Sequence, residues 1–132
     1  MKPFQGRPVT VLVVDDSAQV RRRLYEMLKG ETSAQIVAEA ASARDALQAF
    51  QQLRPEAVIL DLGLPDASGV EVLRQIKRAA PLCFVIVLTL FNEPMFAELA
   101  RTLGADCFFH KSTEFERVAE VLRALALEQG TL

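Results

Sequence analysis

The chain of 132 residues has one histidine and only two cysteines, Cys83 and Cys107, which stand apart with no C-x-x-C spacing. Zinc sites are built from clustered Cys and His ligands, so zinc is excluded and the two cysteines read as free, buried thiols. Neither sign of charge dominates, with 15 basic against 17 acidic side chains, which argues against nucleic-acid binding through bulk charge. Long apolar runs are missing as well. The longest, Leu82 to Leu88, falls far short of the roughly 20 residues that span a bilayer. Lys2 and Arg7 near the amino terminus are not followed by a signal-peptide core, so a cytoplasmic location is expected. There is no internal repeat, low-complexity tract or linker, and the length suits one domain.

What the chain does have is a series of short apolar runs, each ending at a polar residue. Val11-Leu12-Val13-Val14 precedes Asp15-Asp16, Ala57-Val58-Ile59-Leu60 precedes Asp61, and Phe84-Val85-Ile86-Val87-Leu88 precedes Thr89. Cys107-Phe108-Phe109 leads through His110 to Lys111. Such runs read as buried strands. A fifth, weaker strand at 35–40 is rich in alanine and is expected at a sheet edge. Helical periodicity fills the gaps, so the fold class is α/β, a doubly wound parallel sheet of five strands with five helices.

Local signals bound the helices. Ser17 caps the first, whose apolar side is Val20, Leu24, Met27 and Leu28, and Gly30 ends it. Ser42 with Asp45, and Ser68 with Glu71, have the spacing of capping boxes for the second and third. Leu53 ends the second helix before Pro55, and Pro81 bounds the third. Asn92 and Pro94 open the fourth, with Met95, Phe96, Leu99 and Leu103 as its apolar positions, and Gly104 closes it. Thr113 and Glu116 are expected to cap the fifth, which turns Phe115, Val118, Leu122 and Leu125 inward. Arg21-Arg22-Arg23 reads as the solvated face of the first helix, with the capacity to steer an acidic partner.

In a parallel sheet all strands point the same way, and ligands bind outside their carboxyl ends. Asp15, Asp16, Asp61, Thr89 and Lys111 therefore converge. Three neighbouring carboxylates repel one another unless a cation sits among them, and hard oxygen ligands suit Mg²⁺. The Lys111 ammonium and the Thr89 hydroxyl suit phosphoryl oxygens. With the cation neutralising phosphate charge, a carboxylate can serve as nucleophile and become an acyl phosphate.

These motifs together, including Ile-Leu-Asp-Leu-Gly-Leu-Pro-Asp-Ala-Ser-Gly around Asp61 and Gly-Ala-Asp-Cys-Phe-Phe-His-Lys before Ser112, closely resemble the response-regulator receiver domains of two-component signalling. The resemblance implies a flavodoxin-like receiver fold over residues 9–128, flanked by an extension at 1–8 and a tail at 129–132. It implies that Asp61 is the phosphoacceptor, supplied by a phosphohistidine on a sensor histidine kinase or phosphotransfer protein. Mg²⁺ would be held by Asp15, Asp16, Asp61 and the carbonyl of Gly63, with Lys111 on the phosphoryl oxygens. Thr89 and Phe108 would be the switch pair, biasing a surface of the fourth helix, fifth strand and fifth helix toward a downstream protein or a second copy of the chain. Neither direct nucleic-acid contact nor a membrane is implied. The output is protein contact rather than a reaction product, from a stand-alone receiver or the amino-terminal part of a longer regulator.

The sequence departs from the family pattern in places. Leu90 replaces a small residue and stands to narrow access to the acyl phosphate or shift its loop. Ser112 replaces a proline, so the peptide after Lys111 is less strongly biased to cis. Gly63 and Phe91 flank the path of an attacking water, and slow spontaneous loss of the phosphoryl group is expected. Two competing readings are a receiver-like scaffold that takes no phosphate and an aspartyl-phosphate phosphohydrolase. The second lacks the acid such enzymes place two residues after the nucleophile, since Gly63 stands there. A flavodoxin-like cofactor site is disfavoured because Asp-Asp-Ser, not a glycine-rich loop, follows the first strand.

Overall fold

A computed structural model describes residues 7–130, with side chains through Glu128. Strands β1 (Val9–Val14), β2 (Ala34–Ala40), β3 (Ala57–Leu60), β4 (Phe84–Thr89) and β5 (Cys107–His110) alternate with helices α1 (Ala18–Leu28), α2 (Ala43–Leu53), α3 (Gly69–Ala79), α4 (Pro94–Thr102) and α5 (Arg117–Gly130). The strands form one parallel sheet in the order β2-β1-β3-β4-β5. The alanine-rich β2 is indeed an edge, and its pairing with β1 slips between Val11 and Leu12. Residues 1–6 of the expected extension and 131–132 of the tail lie outside the described residues, and α5 runs past 128 to Gly130.

Alternation along the strands builds two cores. Leu12, Val14, Val58, Leu60, Val85 and Val87 face α2 and α3, where Phe50, Val72, Leu73 and Ile76 meet them. Val11, Val13, Ile59, Ile86 and Leu88 face α1 and α5, against Leu24, Leu28, Val118 and Leu122. Apolar burial on both faces explains why the central strands are unbroken hydrophobic runs. Cys83 is buried beside Pro55 and its thiol is pushed up to about 11 by burial, while Cys107 is only half-buried; both are free.

Several helix ends differ from expectation because other groups, near and far along the chain, compete for them. Ser42 does cap α2 through the Asp45 N–H, but the Asp66 carboxylate, from the loop after β3, also accepts from the Ala43 and Arg44 N–H groups at 2.8 and 3.0 Å. Ser68 caps α3 through Val70, and Glu71 turns to Arg74 and Gln75 instead of completing a box. The Thr113–Glu116 cap does not form. Glu114 accepts from the His110 N–H, Glu116 pairs with Arg23, and α5 begins only at Arg117. Pro94 opens α4 as expected, though Glu93 rather than Asn92 is its cap residue, and Gly104 at φ 103° closes it in a conformation that favours glycine. Gly30 has no positive φ; α1 ends through the Lys29 N–H bonded to the Tyr25 carbonyl.

Helix α4 buries only Ala100 fully, with Phe96 and Leu103 half-buried against the core. Met95 and Leu99, two of its apolar positions, are exposed, as are Leu90 and Phe91 just before the helix.

Candidate phosphoacceptor site

The sheet ladder continues past the ends of the strands into the site. The Asp15 N–H bonds the Ala40 carbonyl at 3.0 Å, the Asp61 N–H bonds Val14 at 2.9 Å, and the Lys111 N–H bonds Thr89 at 2.9 Å. The functional backbone is thus as firmly held as the strands themselves. Gly69, the first residue of α3, packs directly on this backbone: a Cβ there would lie 2.3 Å from the Asp61 carbonyl oxygen. Only glycine lets α3 approach so closely.

Asp15, Asp61 and Thr89 are buried, and Asp16 is exposed. One carboxylate oxygen from each of Asp15, Asp16 and Asp61 lies within 4.8 Å of the others. Lys111 bridges two of them, with Nζ 2.6 Å from Asp15 Oδ2 and 2.9 Å from Asp61 Oδ2. Asp15 Oδ1 accepts from the Ser17 N–H at 2.9 Å, and Asp61 Oδ1 accepts from the Gly63 N–H at 3.3 Å. Burial raises the Asp15 carboxyl above its ordinary value, with Lys111 and the Ser17 N–H pulling back only partly. Burial also works against the Lys111 ammonium, but hydrogen bonds to Asp15 and Asp61 outweigh it and hold Lys111 protonated. The donor set is hard oxygen with excess negative charge, which fits a divalent cation such as Mg²⁺.

The departures take definite positions. Leu90 is 61% exposed and so points to solvent, not into the site. Phe91 lies against Gly63, where a Cβ would sit 3.3 Å from the ring, and it packs at a tilt on Phe96 at 4.9 Å between centroids. The Thr89 hydroxyl accepts from the Phe91 N–H at 3.3 Å. Phe108 is half-buried against the core on the α2–α3 side. Every described peptide is trans, including the one after Lys111, and Lys111 still reaches both carboxylates. In place of a proline constraint, Ser112 Oγ lies 2.8 Å from His110 Nδ1, and the Ser112 N–H donates to the same atom at 3.3 Å.

Comparison with known proteins agrees with this geometry. A family model, the response regulator receiver domain, matches residues 11–123. The chain belongs to the response-regulator receiver family. It is 32% identical over 116 residues to the response regulator protein VraR of Staphylococcus saprophyticus, covering 88% of this chain and 56% of that protein. The chain therefore spans about half the length of the curated relatives it matches. Among solved structures, the response regulator domain of Thermotoga maritima CheB superposes with a TM-score of 0.80 at 28% identity, covering 96% of this chain and 98% of that one. The Mn²⁺-bound form of response regulator Rcp1 superposes with a TM-score of 0.75 at 27% identity, covering 89% and 91%. The five-stranded sheet and its strand order are those of a receiver of two-component signalling, and the aspartate cluster is compatible with phosphorylation and metal binding.

Proposed function

We propose that this receiver takes a phosphoryl group onto Asp61 from a phosphohistidine of a sensor histidine kinase or phosphotransfer protein. The observation that carries the reading is the meeting of three carboxylates with one lysine bridging two of them. In the reaction an Asp61 oxygen attacks phosphorus in line, the P–N bond to the donor imidazole breaks, and an acyl phosphate forms as the imidazole leaves. Mg²⁺ held by Asp15, Asp16, Asp61 and the Gly63 carbonyl would neutralise the phosphoryl charge. Lys111 transfers its hydrogen bond from the Asp61 carboxylate to a phosphoryl oxygen. Thr89 gives up the bond it accepts from the Phe91 N–H and donates its hydroxyl to a phosphoryl oxygen, Phe108 follows, and the α4–β5–α5 surface is rebiased. Exposed Met95 and Leu99 give that surface apolar contacts for a downstream protein or a second copy.

Gly63 offers no side chain to orient an attacking water and the Phe91 ring lies close against it, which supports slow hydrolysis of the acyl phosphate and weighs against a phosphohydrolase. A half-life of seconds for the purified phosphorylated protein would contradict this. Among the described residues no helix is long and apolar enough to cross a membrane.

The test is intact mass after incubation with acetyl phosphate, with and without Mg²⁺, for the native chain and Asp61→Asn. Gain of one phosphoryl group that needs both Mg²⁺ and Asp61 is expected. Gain in Asp61→Asn would assign the acceptor elsewhere, and no gain even with a histidine phosphodonor would favour the scaffold reading.

A further inference from the structure

Of the three consecutive arginines on α1, Arg21 alone turns back to the end of the sheet. Its Nη1 donates to the Asp15 carbonyl oxygen at 2.7 Å, and its Nε donates to Glu39 Oε1 on β2 at 3.0 Å. Arg22 stays exposed, and Arg23 lies over the Phe115 ring at 3.8 Å. The guanidinium fork thus spans α1, the turn after β1 and the edge strand, a geometry that a lysine point charge cannot fully reproduce.

The consequence falls on Asp15. Its N–H is held by the Ala40 carbonyl, its carbonyl by Arg21, one carboxylate oxygen by the Ser17 N–H and the other by Lys111. The direction in which the chain leaves Asp15 is therefore fixed. Asp16 follows immediately, is exposed, and among the described residues has no hydrogen bond of its own holding its carboxylate. Where Asp16 points is decided by how Asp15 is held.

We propose that Arg21 is a positioning residue for the cation site, fixing through the Asp15 carbonyl the turn that presents the Asp16 carboxylate. The inference rests on the reading of the three aspartates as a divalent-cation site. It yields a sign that simple electrostatics does not. Removing a positive charge near a cation site should tighten cation binding, whereas loosening the turn that aims a ligand should weaken it.

The experiment is calorimetric titration of Mg²⁺ into the unphosphorylated protein, for the native chain and for Arg21→Met, Arg21→Gln, Arg21→Lys and Arg22→Met, with folding checked by circular dichroism. Arg21→Met and Arg21→Gln are expected to weaken Mg²⁺ binding by about tenfold, the scale of lost outer-shell contacts. Arg21→Lys, which keeps a donor for the Asp15 carbonyl, should recover most of the affinity. Arg22→Met should bind as the native chain or slightly tighter. Native or tighter binding by folded Arg21→Met and Arg21→Gln would overturn the inference, as would an equal loss in Arg21→Lys. Absence of Mg²⁺ binding in the native chain would instead overturn the cation site itself, and this inference with it.

Discussion

Two lysines, equally sheltered, sit at opposite ends of the same sheet and behave differently. Lys77, 12% exposed, meets Asp106 at 2.9 Å, the Cys83 carbonyl at 2.5 Å and the Pro81 carbonyl at 3.2 Å, below the amino ends of β4 and β5. Its three donors have three acceptors, and one acid answers one base. Asp106 accepts in addition from the Val85 N–H, so the cluster is closed. Lys111, 11% exposed, faces Asp15 and Asp61 at the carboxyl ends of β1 and β3, with Asp16 close by. Three acids here answer one base. The balanced cluster is a clamp, and the unbalanced one retains charge that only a cation or a chemical change can satisfy. Residue type and burial are shared, so neither explains function; the charge left over does.

Exchanging the two lysines for methionine should separate the roles. Lys111→Met is expected to slow phosphoryl acceptance by about 10²- to 10³-fold, the usual cost of losing one charge-stabilising donor, measured by intact mass over time. Lys77→Met should accept phosphate at a rate within a few-fold of native. It should nevertheless lose about 2 kcal/mol in denaturant unfolding, less than for a fully enclosed pair because the Asp106 side chain is 33% exposed. A Lys77→Met protein of native stability would break the contrast.

A smaller effect tests the surplus of acid directly. Because burial raises Asp15 above its ordinary value, ionising it costs folding free energy: the native chain holds its full stability below the ordinary carboxyl value of 3.8 and loses part as pH rises through the higher folded value. Asp15→Asn, measured without metal, should therefore melt a few degrees above the native chain at neutral pH, with the advantage gone at pH 3. Added Mg²⁺ should narrow the gap by stabilising the native chain more. A variant that melts lower at neutral pH would show that the Lys111 pair outweighs the cost of burial.

The smallest effect belongs to an exposed group. Asp66 is lowered below 3.8 by the Ala43 and Arg44 N–H groups, so its contribution is present above that value and lost as pH falls through the lower folded one. Asp66→Asn should reduce stability slightly at neutral pH and abolish that part of the acid dependence, as thermal melts between pH 2 and 6 would report.

Much of this was legible in the sequence because it depends on period and position. The apolar runs fix where strands end, and parallel strands bring their ends together, so Asp15, Asp16, Asp61, Thr89 and Lys111 could be placed without coordinates. What sequence spacing did not reveal depends on partners remote along the chain. Asp66 caps a helix 23 residues away, and Arg21 reaches Glu39 across 18. The box expected at Thr113–Glu116 does not form, Glu116 pairing with Arg23 from α1, whereas at Ser68–Glu71 the competitor is local, Arg74 one turn on. Met95 and Leu99 have helical apolar spacing yet face solvent, since periodicity identifies a face but not whether anything covers it. The Phe91–Gly63 contact had a hint in the absent side chain at 63, but its closeness is a property of the fold.

Asp61 and Lys111 are 50 residues apart along the chain, and the lysine follows the last strand in sequence, at the far edge of the sheet. Contacts of such long sequence separation must pay loop-closure entropy before they are rewarded. On the proposed chemistry, a chain in which β5 has not docked lacks Lys111 at the site and should accept phosphate no faster than Lys111→Met. Fast phosphoryl uptake, as proposed here, then requires the far edge of the sheet to be in place.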